Sequence, residues 1–179
     1  MDAYAFVETF WGVVVLAARN ARLAAVILPS PARATTRRLV KRKWPDARER
    51  PNLLADLQRR IQRYFDGRRE AFDVPIDLTG RTPFQRRILE ACRRIPYGAT
   101  MTYGQLAADA GTPAAARAAG GVMAANPIPL VIPCHRVIRA GGALGGFSAE
   151  GGLELKSKLL ELEAHACLHA RRSAPHIRN

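Results

Sequence analysis

The sequence predicts an α/β unit over residues 1–80, a mainly helical unit over 81–163 and a basic tail over 164–179. Three observations carry this fold class, α/β plus α. Apolar, β-branched runs at residues 11–18 and 22–28 flank a short polar turn, as in a hairpin. Residues 53–65 then keep apolar positions at helical spacing. Beyond residue 80, two short helical stretches are separated by a glycine turn, the spacing of a helix-turn-helix.

Taken in order, the hairpin turns at Arg19-Asn20-Ala21. Pro29-Ser30-Pro31 stops its second strand, and residues 32–43 read as a basic helix. Pro45 and Pro51 bracket a charged loop. A helix is expected from Asn52, with Leu53, Leu54, Leu57, Ile61, Tyr64 and Phe65 on its apolar face and Asp66-Gly67 at its end. Residues 72–78 alternate like a short strand, which Pro75 confines to an edge. Thr82 can cap a helix with Pro83 at its first position, burying Phe84, Ile88, Leu89 and Cys92. Residues 102–110 form the next helix, Gly111-Thr112-Pro113 a turn with a new cap, and residues 114–125 a second helix. Residues 153–163 read as an amphipathic helix.

The net charge of +13 divides as +6 over residues 1–80, +4 over 81–163 and +3 over the tail. Such an excess favours a polyanionic partner, bound less tightly as salt rises. No apolar run reaches membrane-spanning length, and the N-terminus lacks the pattern of a secretory signal. Cys92, Cys134 and Cys167 are few and widely spaced, which suggests free thiols in a reducing cytoplasm. No Cys/His set with metal-ligand spacing occurs in the first half, so neither metal nor cofactor is expected. His165, Cys167 and His169 fall in the tail and read as a solvated end.

The chemistry concentrates in Pro133-Cys134-His135-Arg136-Val137. A thiol is a nucleophile only as a thiolate, which needs a nearby base or a positive field. The imidazole and guanidinium that follow Cys134 supply both. Cys92 lies on a buried helix face and Cys167 in the tail, so neither competes. Upstream, residues 114–121 are almost all alanine and glycine, with Arg117 the single cation. Such a helix has few side chains to read base edges. It can approach a nucleic-acid backbone closely and lie in a narrow groove. Downstream, the glycines of residues 141–146 let backbone groups approach a flat ring.

These segments, in this order from about residue 82 to 163, resemble the O6-alkylguanine-DNA alkyltransferases, also called methylated-DNA–protein-cysteine methyltransferases. The resemblance implies a ribonuclease-H-like N-terminal domain followed by a winged helix-turn-helix-like domain that carries the site. It implies a monomer that binds double-stranded DNA through the minor groove and flips the lesion out. An alkyl group then moves irreversibly from O6-alkylguanine, or O4-alkylthymine, to Cys134. Glu163 would hold His135, which acts through a water on Cys134, while Arg136 braces nearby backbone. Asn126 would tie the recognition helix to the reactive segment, and Tyr103 would sit by the target phosphate and help to rotate the nucleotide. Arg117 would fill the gap it leaves. Ala116, Gly120 and Met123 would contact DNA, with Met123 packing over the pocket. Val137, Phe147, Ser148 and Pro129 would form the base and alkyl subsites. Phe147 stands where many relatives have tyrosine, and Ala124-Ala125 replaces a more polar pair.

Three other readings fit less well. A non-catalytic lesion-binding relative would replace Cys134. A helix-turn-helix regulator would need base-reading side chains that the alanine helix lacks. A cysteine phosphatase needs a phosphate loop between its cysteine and its arginine, and Cys134-His135-Arg136 leaves no room for one.

Overall fold

The computed structural model describes residues 1–30 and 33–172. Its N-terminal half is built on a four-stranded sheet of β1 (Ala3–Thr9), β2 (Gly12–Arg19), β3 (Arg22–Ser30) and the two-residue β4 (Arg48–Glu49), in the order β3-β2-β1-β4. The expected hairpin is β2–β3. Arg19 pairs with Arg22, and Asn20 and Ala21 both have positive φ (49° and 59°), the geometry of a tight two-residue hairpin turn. β1 extends the sheet beyond that hairpin. It pairs antiparallel with β2 from Ala3↔Ala18 to Thr9↔Gly12 and parallel with β4. β4 falls inside the segment expected to be a charged loop.

Both faces of the sheet are covered, which explains why β2 is an unbroken apolar run. Val15, Ala17 and Ala25 pack with Val40 of α1 (Arg33–Lys43) on one face. Pro31 and Ala32, expected to lead into this helix, lie outside the described residues. Val14, Leu16, Val26 and Leu28 join the main core on the other face, with Leu57, Ile61, Tyr64 and Phe65 of α2 (Ala55–Phe65). The N-cap residue of α2, Leu54, has φ 51°, so the helix begins three residues later than Asn52. Residues 72–78 shrink from the expected strand to one bridge, Leu23↔Ile76. Pro75 has no N–H to give; its carbonyl accepts from Leu23 at 2.9 Å.

Two helices of the second half start at reciprocal caps. Thr82 accepts from Gln85 N–H, and the Gln85 side chain returns a bond to Thr82 N–H, opening α3 (Pro83–Arg93). Thr102 and Gln105 repeat the motif at α4 (Tyr103–Asp109). The expected cap at Thr112 is absent, because its hydroxyl donates back to Ala107 O at 3.2 Å. Residues 113–115 therefore form a 3₁₀ turn before α5 (Ala116–Ala124). A short parallel pair, β5 (Met101–Thr102) with β6 (Val137–Ile138), lays the exit of the reactive segment beside the start of α4.

The last helix, α6 (Gly152–Arg172), runs nine residues past Glu163. The tail is thus helical through Arg172, with Ala164, His165 and Leu168 exposed to solvent as expected, and residues 173–179 lie outside the described residues. Cys167 packs on Gly98: a Cβ built on that glycine would lie 2.5 Å from Cys167 Sγ. The halves also meet through backbone, with Val26 N–H donating to Pro127 O at 2.9 Å. Among the described residues no helix is long and apolar enough to cross a membrane.

Candidate active site

The turn through Leu130, whose φ of +71° is rare for a branched side chain, brings the reactive segment under α5. Asn126, just beyond the end of α5, fixes it there. Its Nδ2 donates to Ile132 O at 2.8 Å and its Oδ1 accepts from Ile128 N–H at 3.0 Å. A 3₁₀ turn, residues 134–136, follows and points three functional groups inward.

Cys134 is 7% exposed. Burial pushes its thiol above the usual range, opposed by a hydrogen bond from Asn126, the Lys156 ammonium and the N–H groups of Cys134 and His135. The resting thiol is therefore protonated and needs a base. Lys156 is wholly buried, and its Nζ donates to Val137 O at 2.6 Å. Burial lowers its pKa, while the two nearby cysteines oppose that shift. Cys92 is also buried, which raises its thiol well above the usual range and leaves it inert.

His135 and Glu163 are both about 1% exposed, and Nε2 lies 2.8 Å from Glu163 Oε1. Arg136 grips the same carboxylate as a fork, with Nη2 at 2.9 Å from Oε1 and Nε at 3.0 Å from Oε2. Its Nη1 donates to Ile95 O at 2.7 Å, so it braces backbone as expected and also neutralises Glu163. Gly98 N–H donates to Oε2 at 2.9 Å, and the Tyr64 hydroxyl donates to Oε1 at 2.8 Å. Burial alone would raise the Glu163 pKa, but the bonds and charges of His135 and Arg136 outweigh it and bring it down to about 2. A carboxylate so held only accepts, so Nε2 of His135 carries the proton and Nδ1 the lone pair. Nδ1 is buried and has no hydrogen-bond partner among the described residues. Burial lowers the His135 pKa, so the imidazole is neutral and free to take a proton.

Beside this cluster lies a cleft of about 810 Å³ whose walls include Tyr103, Arg117, Gly120, Arg139, Phe147 and Ser148. Ala116 lines it too. The Tyr103 ring is held between two glycines: a Cβ on Gly120 would meet it at 3.8 Å and one on Gly145 at 3.1 Å. Burial raises the Tyr103 pKa, followed by a contribution from Cys134, which places the phenol within electrostatic reach of the sulfur. Arg117 is exposed on α5.

The structure therefore divides the expected site residues into two neighbouring groups. Cys134, His135, Glu163 and Asn126 form the buried cluster, while Tyr103, Ala116, Arg117, Gly120, Phe147 and Ser148 line the cleft. Three others differ from expectation. Met123 is 4% exposed and belongs to the core rather than to a DNA-facing surface. Val137 is wholly buried, and its carbonyl already accepts from Lys156. Pro129 is half-buried and absent from the cleft wall. The Ser148 hydroxyl, expected to face a base, donates to Ala124 O at 2.7 Å and ties the glycine loop to α5. Arg139, Lys156 and Gly98 were not singled out from sequence, and Tyr64 was read only as part of a helix's apolar face. An isolated arginine at the mouth of a glycine loop was the available signal for the first. Among the described residues no three His, Cys, Asp or Glu side chains are placed to hold a metal ion.

Residues 83–165 match the family model for the DNA-binding domain of 6-O-methylguanine DNA methyltransferase. A methylated-DNA–protein-cysteine methyltransferase of Mycolicibacterium paratuberculosis is 39% identical over 167 residues, covering 91% of this chain and 93% of the relative. The constitutive enzyme of Bacillus subtilis is 36% identical over 163 residues, covering 91% and 96%. The fold is similar to the crystal structure of Mycobacterium tuberculosis OGT in complex with DNA, with a TM-score of 0.76, 35% identity, and coverage of 92% of this chain and 94% of that one. The chain belongs to the methylated-DNA–protein-cysteine methyltransferase family.

Proposed function

We propose that this protein repairs O6-alkylguanine in double-stranded DNA by moving the alkyl group to Cys134, once per molecule. The observation that carries this reading is a buried thiol beside a neutral histidine. That histidine's outer nitrogen is locked onto an ionised carboxylate, and its inner nitrogen is free. The thiol proton passes through a water to His135 Nδ1. The sulfur attacks the alkyl carbon, the S–C bond forms as the C–O6 bond breaks, and the electron pair leaves with the base. The base takes up a proton and is restored to guanine, still attached to its DNA strand. No later step regenerates the thiol, so the protein is consumed. The test is to incubate it with an O6-methylguanine duplex and map the product by peptide mass. One methyl group on the peptide containing Cys134 is expected. A methyl on Cys92 or Cys167, or repeated turnover, would contradict the assignment.

The architecture that delivers the base is part of the proposal. Residues 1–80 act as a ribonuclease-H-like domain, supported by the β3-β2-β1-β4 order with β4 parallel to β1. Residues 81–163 act as a winged helix-turn-helix-like domain, supported by α4, its turn and α5. The protein works as a cytoplasmic monomer, and the small-residue α5 lies in the minor groove. The flipped base enters the cleft between Tyr103 and Phe147. Arg139 contacts a phosphate at its mouth, and Arg117 fills the emptied stack.

That role for Arg117 predicts a graded loss. In single-turnover assays Arg117→Ala slows repair of duplex DNA on the order of tenfold, since extrusion costs a few kcal/mol that the wedge partly offsets. Single strands lose less, and a free alkylguanine base reacts at nearly the original rate. Equal losses on all three substrates would exclude a wedge.

A further inference from the structure

The reactive cluster is completed by a side chain from the other half of the protein. Tyr64, on α2, is wholly buried, and its hydroxyl donates to Glu163 Oε1 at 2.8 Å across 99 residues of sequence. The same hydroxyl stands 3.5 Å from His135 Nε2. Its ring is enclosed by three others, with centroids of Phe65, Phe72 and Tyr97 at 5.3, 5.6 and 5.9 Å, so the phenol has one place to point.

The oxygen it reaches is the one that His135 uses. Oε1 accepts from His135 Nε2, from Tyr64 and from Arg136 Nη2, with Arg136 Nε also at 3.2 Å, whereas Oε2 accepts from Arg136 Nε and Gly98 N–H. The phenol therefore shares the negative charge that stabilises a protonated imidazole. It also pins the atom that orients the ring. Core packing alone needs only a phenylalanine here; the hydroxyl is a polar group placed against the proton-handling pair.

We propose that Tyr64 is a positioning residue for alkyl transfer: its hydroxyl fixes Glu163 Oε1 in line with His135 Nε2 and limits the charge that the imidazole feels. This rests on the reading of Cys134 as alkyl acceptor and His135 as its base. The N-terminal domain is then a working part of the site, not only a support for the fold.

The sign of the effect follows. Without the hydroxyl, Oε1 keeps more negative charge, a protonated His135 is better stabilised, and its pKa rises. The neutral base is then lost at a higher pH. In Tyr64→Phe the acid limb of the single-turnover rate should move to higher pH, and the plateau rate should fall by about threefold to tenfold, part of a hydrogen bond to a charged group. Duplex affinity should not change. 3-Fluorotyrosine at position 64, a stronger donor of the same shape, should move the limb to lower pH, which gives a second reading if Tyr64→Phe is unstable. The limb is best measured with a free O6-alkylguanine base, so that DNA docking plays no part. A tyrosine that merely packs would leave the limb in place in both variants; that outcome overturns the proposal whatever the plateau rate. Failure of the wild-type protein to alkylate Cys134 overturns the parent reading instead.

Discussion

Cys134→Ser should abolish alkyl transfer and leave duplex binding intact. The expected loss is complete on the scale of the assay, because a serine hydroxyl is far less acidic than a thiol. The neutral His135 that suffices for a thiol is too weak a base for it. Binding survives because the cation-lined cleft and α5 are separate from the buried cluster. The variant should hold an O6-methylguanine duplex with wild-type affinity, and that affinity should fall steeply from low to moderate salt as phosphates regain their counterions. Residual transfer by Cys134→Ser would place the acceptor elsewhere. Affinity insensitive to salt would remove the role given to the net charge of +13.

What the sequence made legible was largely local. The cap at Thr82 was read, because a cap settles its hydrogen bonds within three residues; the bonds that Gln85 and Gln105 return, and the cap at Thr102, are equally local but came from the structure. The hairpin was legible for the same reason. β1 was not, because Tyr4 and Phe6, which alternate with Ala3, Ala5 and Val7, are also packed, on the opposite covered face, and its stability comes from pairing with β2 on one side and β4 on the other. Cys134, His135 and Glu163 were found through a family pattern, and the structure joins the last two through one hydrogen bond. Tyr64 was read correctly as an apolar-face residue of a helix, but its hydroxyl answers to a carboxylate 99 residues away. Lys156 posed the same difficulty. A lysine on an amphipathic helix reads as solvated until Val137 O is found within 2.6 Å of it. Met123, given as a DNA contact by the family pattern, is buried in the core. The helical course of the tail was not legible, because charge does not reveal that Gly98, with φ +76° and no side chain, leaves the space that Cys167 fills.

Glu163→Ala should cause the largest loss of stability of any single change at the site and should stop efficient transfer. The carboxylate is buried and accepts from His135, Arg136, Tyr64 and Gly98 at once. Removing it strands a guanidinium that is 6% exposed, together with a phenol and a peptide N–H. Breaking a buried ion pair from one side typically costs about 3–5 kcal/mol, and the orphaned donors add to it. Glu163→Gln keeps the shape and one acceptor oxygen, so it should lose less stability yet still slow transfer, since a neutral amide no longer stabilises the charged imidazole. Acid should reproduce part of this effect in the wild-type protein. The folded pKa of His135 is depressed, so below about pH 6.5 the unfolded chain takes up a proton that the folded one refuses, and stability begins to fall. The Glu163 carboxyl is held at about 2, against 4.5 unperturbed, so its contribution is present above about pH 4.5 and is lost as pH drops towards 2. That interval corresponds to about 3 kcal/mol at the usual conversion of a pKa shift. Denaturant titrations between pH 7 and 2 should show stability declining in two stages in the wild-type protein. In Glu163→Gln the lower stage should shrink to what other paired carboxylates such as Asp77 contribute. A Glu163→Ala protein within about 1 kcal/mol of wild type at neutral pH, with an unchanged transfer rate, would mean that this carboxylate neither anchors the fold nor orients the base.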